Sequence, residues 1–225
     1  MIDLPLLHQG RTFAVVVKPA GLRTVPGRGD DRADSVETRL RALAATDAHL
    51  PDLDGPVIVH RLDADTSGLL VVAFTRDAHQ RLSRQFMHRK VGKTYIAVLD
   101  GTVRDDEGAI DLPLIVDWPN RPRQMVDHVD GRAARTLYRV IERTETPRGP
   151  LTRVEFRPMT GRSHQLRVHA ATARDDGGLG CPILGDPLYG DLSASTRMLL
   201  HANHLAFWSI DEPDQWVKFS DDPPF

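Results

Sequence analysis

The pattern of apolar and polar positions changes character along this 225-residue chain. Phe13 to Val17 is a short apolar run that stops at Lys18-Pro19-Ala20-Gly21, which predicts a strand entering a turn. Val36, Leu40 and Leu43 fall at helical spacing and predict a helix from Ser35 to Ala45, with Asp34 or Ser35 as its cap. Gly68 to Phe74 is continuously apolar and predicts a strand buried on both faces. Thr75 predicts the cap of a helix from Arg76 to about Arg89, with Asp77 at the positive end of its dipole. In that helix Ala78, Leu82 and Phe86 recur as a core stripe, while Arg81, Arg84 and His88 make a cationic stripe on another face.

Further on, Thr94 to Val98 alternates and predicts a strand turned by Asp100-Gly101. Thr136 to Ile141 and Leu151 to Arg157 alternate as an antiparallel pair around Pro147-Arg148-Gly149. Ser163 to about Ala173 reads as a helix capped by Ser163, and His204 to Ile210 as a late strand. Gly27–Asp31 and Pro51–Pro56 read as loops. Strands outnumber helices, so the expected class is α+β, with a mixed, mostly antiparallel central sheet flanked by a few helices. No repeat, low-complexity tract or dividing linker is visible, which predicts one domain over residues 1–225.

Composition narrows the class. Hydrophobic residues at 40% and charged residues at 27% are those of a folded globular chain. The single cysteine, Cys181, excludes an internal disulfide framework and fits a reducing compartment. The longest apolar run is too short to span a membrane, and Met1-Ile2-Asp3-Leu4-Pro5 is not a signal peptide, so a cytoplasmic location is expected. The net charge of −2 argues at first against a nucleic-acid partner. Its distribution argues otherwise. Arg76 to Lys93 holds six basic residues and one acid, and Arg153 to Arg174 holds five arginines and one acid. The acids gather in Asp30, Asp31, Asp34, Asp52, Asp54 and the tail from Asp211 to Asp222. Placement of charge outweighs its sum.

Two polar clusters stand out. His60-Arg61-Leu62-Asp63-Ala64-Asp65-Thr66-Ser67-Gly68 immediately precedes the buried strand, where scaffolds place reactive groups. In an extended stretch Arg61 and Asp63 point to the same side. The bland alternative is a polar turn whose carboxylates only cap. Thr160-Gly161-Arg162-Ser163-His164-Gln165-Leu166-Arg167 lies at a helix start, where an arginine could pair with a carboxylate and keep it ionised. The alternative there is an exposed amphipathic helix with Leu166, Val168 and Ala170 turned inward. Ten histidines raise the question of a metal. His164 and His169 are poorly spaced for one helix face, His201 and His204 lie at a strand start, and no CxxC or HExxH occurs, so no metal is expected. Gly177-Gly178-Leu179-Gly180 lacks the partners of a phosphate loop, and there is no Gly-x-Ser-x-Gly elbow. What remains, if the chain has chemistry at all, is cofactor-free chemistry centred on a carboxylate.

The segment from His60 to Leu70 resembles the signature of the RluA family of RNA pseudouridine synthases. Lys18-Pro19-Ala20-Gly21-Leu22 is similar to the family's early turn, and Lys93-Thr94-Tyr95-Ile96-Ala97 to its Lys-x-Tyr strand. Gly161 to Arg167, Pro182 to Gly190 and Leu200-His201-Ala202 resemble its C-terminal blocks, so the resemblance runs from residue 18 to 202. Asp111 to Pro122, and Val25-Pro26-Gly27-Arg28 with Asp34-Ser35-Val36, resemble the branch that acts on both a large-subunit rRNA hairpin and a tRNA anticodon stem-loop. Few residues precede the first strand, so the small RNA-binding S4 domain of some relatives is not expected. The stretch from Thr172 to Gly180 is longer than the family's usual turn.

The resemblance implies isomerisation of uridine to pseudouridine in RNA without a cofactor. It implies Asp63 as the catalytic aspartate, acting at the ribose as a nucleophile or as a base at C2′. It implies Tyr95 against the uracil, Arg162 paired with the aspartate, and Leu166 lining an apolar pocket. Arg61 is the candidate to fill the space left by a flipped base. Arg81, Arg84, Arg121 and Arg123 are candidates for phosphate contacts. The implied partner is a tRNA or 23S-type rRNA stem-loop, bound by a monomer with no protein partner. Two other readings compete: an RNA-binding module without catalysis, and a carboxylate glycosidase, for which Asp65 is the one nearby second carboxylate.

Overall fold

The protein is described by a computed structural model covering residues 4–27, 33–46, 50, 53 and 57–225. The loops read at Gly27–Asp31 and Pro51–Pro56 lie almost wholly outside the described residues. In chain order the strands are β1 (Leu6–Gln9), β2 (Phe13–Lys18), β3 (Ser67–Ala73), β4 (Gly92–Asp100), β5 (Glu107–Asp111) and β6 (Leu114–Val116). They continue with β7 (Gln124–Val126), β8 (Arg135–Thr146), β9 (Gly149–Pro158), β10 (Leu200–Trp208) and β11 (Trp216–Ser220). The helices are α1 (Val36–Ala44), α2 (Arg76–Met87) and α3 (Gln165–Ala171). The fold is α+β and its ladders are mostly antiparallel, as the pattern predicts. The chain groups into two compact units: Met1–Lys93 with Ala202–Pro224, and Thr94–His201 with Phe225.

In the first unit β2 pairs antiparallel with β1 and β3, in a register that sets Phe13 opposite Ala73 and Lys18 opposite Gly68. Every residue of β3 is buried, which is why its sequence shows no alternation. Phe13 and Val15 of β2, and Leu69, Val71 and Ala73 of β3, present one face to Ala78 and Leu82 of α2. Leu205 and Phe207 of β10 join the same cluster. Thr75 caps α2 by accepting the Ala78 N–H at 3.2 Å, as read from the sequence. α1 starts at a reciprocal capping box between Ser35 and Thr38. β3 lies beside β10, and β11 pairs with β10 from His204–Ser220 to Trp208–Trp216. The β3–β10 approach needs Gly68: its φ is +109°, and a Cβ there would lie 2.6 Å from the Ala202 backbone nitrogen.

In the second unit β4, β9, β8 and β5 form an antiparallel sheet, with an irregularity between Val140 and Glu142 of β8. Leu99, Val154 and Phe156 from this sheet pack with Leu166 and Ala170 of α3, Ile183 and Leu200. β6 and β7 form a separate hairpin.

Helix α3 departs from its sequence reading in two ways. It begins at Gln165 rather than Ser163, and Gln165 to Ala170 are all buried, so it is not an exposed amphipathic helix. Its cap position is His164, in the left-handed region at φ 54° and without a side-chain cap. Gln165 organises the turn before the helix. Its Oε1 accepts the Thr160 hydroxyl at 2.7 Å and the Arg162 N–H at 3.0 Å, closing the turn before the helix. β1, β5, β6, β7 and β11 were not legible, and β10 starts four residues before His204. β5 and β11 are mostly exposed or half-exposed, which leaves little apolar alternation to read.

Candidate active site

The His60–Gly68 loop is fixed from below by the block at Lys18. Lys18 is fully buried, and its ammonium donates to the carbonyls of Pro19 (2.9 Å), Leu22 (2.7 Å) and Ala64 (2.8 Å). Gly21 N–H also donates to the Ala64 carbonyl at 2.9 Å. Thr24 makes a reciprocal pair with Leu62: its hydroxyl donates to the Leu62 carbonyl at 2.7 Å and accepts the Leu62 N–H at 3.2 Å. Thr66 N–H donates to the Asp63 carbonyl at 3.2 Å, closing a tight turn directly after Asp63. Leu62 is buried, while Arg61 is exposed and Asp63 half-buried. The two sequence blocks, far apart along the chain, are thus one structural unit that presents Asp63 at the entrance to β3.

His60 is the other anchor of this loop. Its Nε2 accepts the Val71 N–H at 3.1 Å, so the neutral ring carries its proton on Nδ1. The ring stacks on Phe86 with centroids 4.3 Å apart. Burial, helped by the nearby Lys93 charge, pushes His60 down to about 3. Burial also pushes the Lys93 ammonium down.

The second unit places Tyr95 and Leu166 on the same apolar cluster. Tyr95 sits on β4 opposite Phe156 of β9 and packs against the cluster that contains Leu166. Arg162 is half-buried, and its Nε donates to the Ala133 carbonyl at 3.1 Å. The segment from Thr160 to Gln165 is pinned to β8, since Gln165 Nε2 donates to the Arg135 carbonyl and the Thr136 hydroxyl, both at 3.0 Å. His169 is fully buried between Thr136 Oγ1 (3.0 Å) and the Leu112 carbonyl (3.2 Å). A carbonyl only accepts, so Nε2 carries the proton. Burial pushes His169 down to about 4.

Sequence reasoning missed the strongest polar pair of this unit. Arg167 and Asp186 form a two-pronged ion pair at 2.7 and 2.6 Å, with side chains 3% and 0% exposed. Asp186 Oδ1 also accepts the N–H groups of Leu188 (2.8 Å) and Tyr189 (3.1 Å). Tyr189 then passes the constraint on: its hydroxyl accepts the Gln124 N–H at 2.6 Å and lies 2.8 Å from His164 Nδ1. The only sequence signal was the block from Pro182 to Gly190, which gave Asp186 and Tyr189 no role.

The candidate phosphate contacts are all exposed. Arg81 donates to the Ile210 carbonyl at 3.2 Å and pairs loosely with Asp77 at 3.7 Å. Arg84 lies one turn further along α2. Arg121 stacks on Trp118, its guanidinium carbon 3.1 Å from the ring centroid. Arg123 lies over Tyr189 at 4.9 Å and donates to the Leu188 carbonyl. Among the described residues, no group of three or more His, Cys, Asp and Glu side chains is placed to hold a metal. No helix there is long and apolar enough to cross a membrane. Cys181 is buried, which pushes its thiol up and away from thiolate chemistry.

Comparison with known proteins joins these observations. A family model described as RNA pseudouridylate synthase matches residues 12–172. The chain is 46% identical over 203 residues to the dual-specificity RNA pseudouridine synthase RluA of Yersinia pestis, covering 89% of this chain and 90% of that one. It is 44% identical to the RluA of Escherichia coli K12, covering 90% and 85%. The solved structure of human RNA pseudouridylate synthase domain containing 1 superposes with a TM-score of 0.79 at 28% identity, covering 99% of this chain and 84% of that one.

Proposed function

This chain belongs to the RNA pseudouridylate synthase family, and we propose that it isomerises uridines in structured hairpin loops of tRNA, large-subunit rRNA or both. In that reaction the N1–C1′ glycosidic bond breaks, the uracil turns, and a C5–C1′ bond forms. The C5 proton goes to solvent and N1 takes one up, so nothing is oxidised and no cofactor is consumed.

In this reading Asp63 acts at the ribose, as nucleophile or as base at C2′. Arg162 keeps its carboxylate charged, Tyr95 lies against the uracil and assists loss of the C5 proton, and Leu166 limits water. A stacked base must first leave its stack, at a cost of a few kcal/mol that is smallest in a loop. Arg61, exposed two residues before Asp63, fills the space it leaves. Arg81, Arg84, Arg121 and Arg123 hold phosphates. The enzyme works as a cytoplasmic monomer.

The observation that carries the proposal is the loop built by Lys18 and Thr24, which holds a half-buried carboxylate at a fixed place on a rigid strand end. The test is tritium release from [5-³H]uridine in an anticodon stem-loop and in an rRNA hairpin. Wild-type protein should release tritium and retain pseudouridine in the RNA, and Asp63→Asn should abolish release while still binding RNA. Full activity in Asp63→Asn would sink the mechanism. Free uracil as product would show a glycosidase instead.

A further inference from the structure

The first unit also carries a basic cleft. It has a volume of about 390 Å³ and lies between the C-terminal half of α2 and the turn that joins β10 to β11. Arg81, Arg84 and Lys90 line it, against the single carboxylate of Asp214. The turn is fastened to the helix at two points. Gln85 brackets Trp208 by donating to its carbonyl and accepting its N–H, both at 2.9 Å, and Arg81 holds the Ile210 carbonyl. The cleft is therefore a built feature and not a gap between mobile side chains.

Cations at a helix C-terminus complement its dipole, which is reason enough for Arg84. It is no reason for the aromatic rings beside it. Trp208 and Trp216 are direct cross-strand partners, so both indoles stand on one face of the β10–β11 ladder. Their centroids are 5.3 Å apart at an interplanar angle of 71°. They remain 46% and 38% exposed, although burying an aromatic ring is worth more than leaving it in water. A basic groove flanked by exposed indoles is the composition of a surface that tracks a single-stranded backbone and stacks its bases.

We infer that the phosphate contact proposed above for Arg84 belongs to an RNA-binding site of its own in this cleft, taking one or two backbone phosphates on Arg84 and Lys90 while a neighbouring base stacks on Trp208. The inference rests on the reading of the chain as an enzyme acting on RNA. The site is distinct from the one at Asp63. Gly68, at the end of the Asp63 loop, meets β10 at Ala202, and Trp208 lies six residues further along that strand. At about 3.3 Å per residue this is about 20 Å. An RNA held at both places is gripped at its target and again well away from it, which favours substrates that extend beyond a minimal loop.

The test uses the full chain and a 12-residue oligocytidylate, which holds no uridine. A Trp118→Phe background leaves Trp208 and Trp216 as the only tryptophans. Titration should quench their emission saturably. Arg84→Ala/Lys90→Ala should weaken binding about tenfold or more and reduce the salt slope by about 1.4, at about 0.7 per phosphate on a single strand. Absence of quenching, or an unchanged affinity and slope in the double variant, would overturn the site. Equal quenching by polyglutamate of matched charge would overturn RNA as its occupant in favour of an acidic protein. Failure of the isomerase reading would show in tritium release and not in this titration, so the two are separable.

Discussion

The Arg167–Asp186 pair offers the sharpest check on how the second unit is held together. Both side chains are almost fully removed from water, and both prongs are short. Removing one partner of a buried pair leaves the other charge without compensation, at about 3–5 kcal/mol. Arg167→Met keeps the length of the side chain but not its charge, and Asp186→Asn keeps the shape and the acceptor for the Leu188 and Tyr189 N–H groups. Each is expected to cost about 3–5 kcal/mol, a large part of the 5–15 kcal/mol available to a domain. With a urea slope of about 3 kcal/mol/M, the midpoint should fall by about 1–1.7 M. The assay is urea unfolding followed by circular dichroism for wild type, both single variants and Arg167→Met/Asp186→Asn. The double variant removes both charges and keeps the acceptor for the Leu188 and Tyr189 N–H groups, so its loss should be less than the sum of the singles by about 2 kcal/mol or more. Single losses below about 1 kcal/mol, or strict additivity, would refute the reasoning.

Other outcomes follow from the same structure. Gly68→Ala places a methyl group against the Ala202 backbone at a positive φ, and should leave little folded protein as judged by soluble yield and thermal melting. Lys18→Met takes the ammonium away from the Pro19, Leu22 and Ala64 carbonyls and should slow tritium release by about tenfold or more, with a smaller proportional effect on RNA affinity. Tyr189→Phe removes the acceptor for the Gln124 N–H and should speed hydrogen exchange at that amide. Acid should destabilise the fold early. His169 and His60 sit at about 4 and about 3 in the folded chain, against 6.5 when unfolded, so the unfolded chain takes up protons that the folded one does not. Their contribution is complete above about pH 6.5 and is lost as pH falls toward 4, by about 3 kcal/mol for the fully buried His169. A urea midpoint unchanged between pH 7 and 5 would contradict this.

The elements legible in the sequence are those whose burial leaves a period. β3 reads through because it is buried on both faces, and α2 because its cap, core stripe and cationic stripe coincide. The β8–β9 hairpin reads through its turn at Pro147-Arg148-Gly149 and its alternation. β5 left no such trace because four of its five residues are exposed, and β11, although Val217 and Phe219 pack on the first unit's core, alternates only between exposed and half-buried positions over five residues. The start of α3 was misplaced because a glutamine inside the helix, not the serine before it, closes the turn. The candidate site divides the same way. Spacing alone left His60 to Gly68 as a polar turn, and resemblance to a family was needed to single out Asp63. Asp186 was invisible as a partner for Arg167, since they stand nineteen positions apart and no periodicity links the two.

Lys18 shows why the two early sequence blocks belong together. An ammonium has three protons, and here they go to Pro19 and Leu22 of its own block and to Ala64 beside Asp63. A lysine at a strand end reads as a solvated tip, yet this one is fully buried. Burying that charge is costly unless its protons are satisfied. The carbonyls that satisfy them must converge on one point, which they do only while the Lys18–Leu22 turn and the Asp63–Thr66 turn keep their shapes. The Ala64 carbonyl is further committed to Gly21 N–H, and Leu62 to Thr24 on both its backbone groups. Movement of Asp63 away from its place would therefore break several buried hydrogen bonds at once, each worth about 1 kcal/mol and more if a partner is stranded. The loop is stiffer than its polar, solvent-like sequence suggests, and this stiffness is what a carboxylate needs if it is to meet the same ribose atom in every turnover.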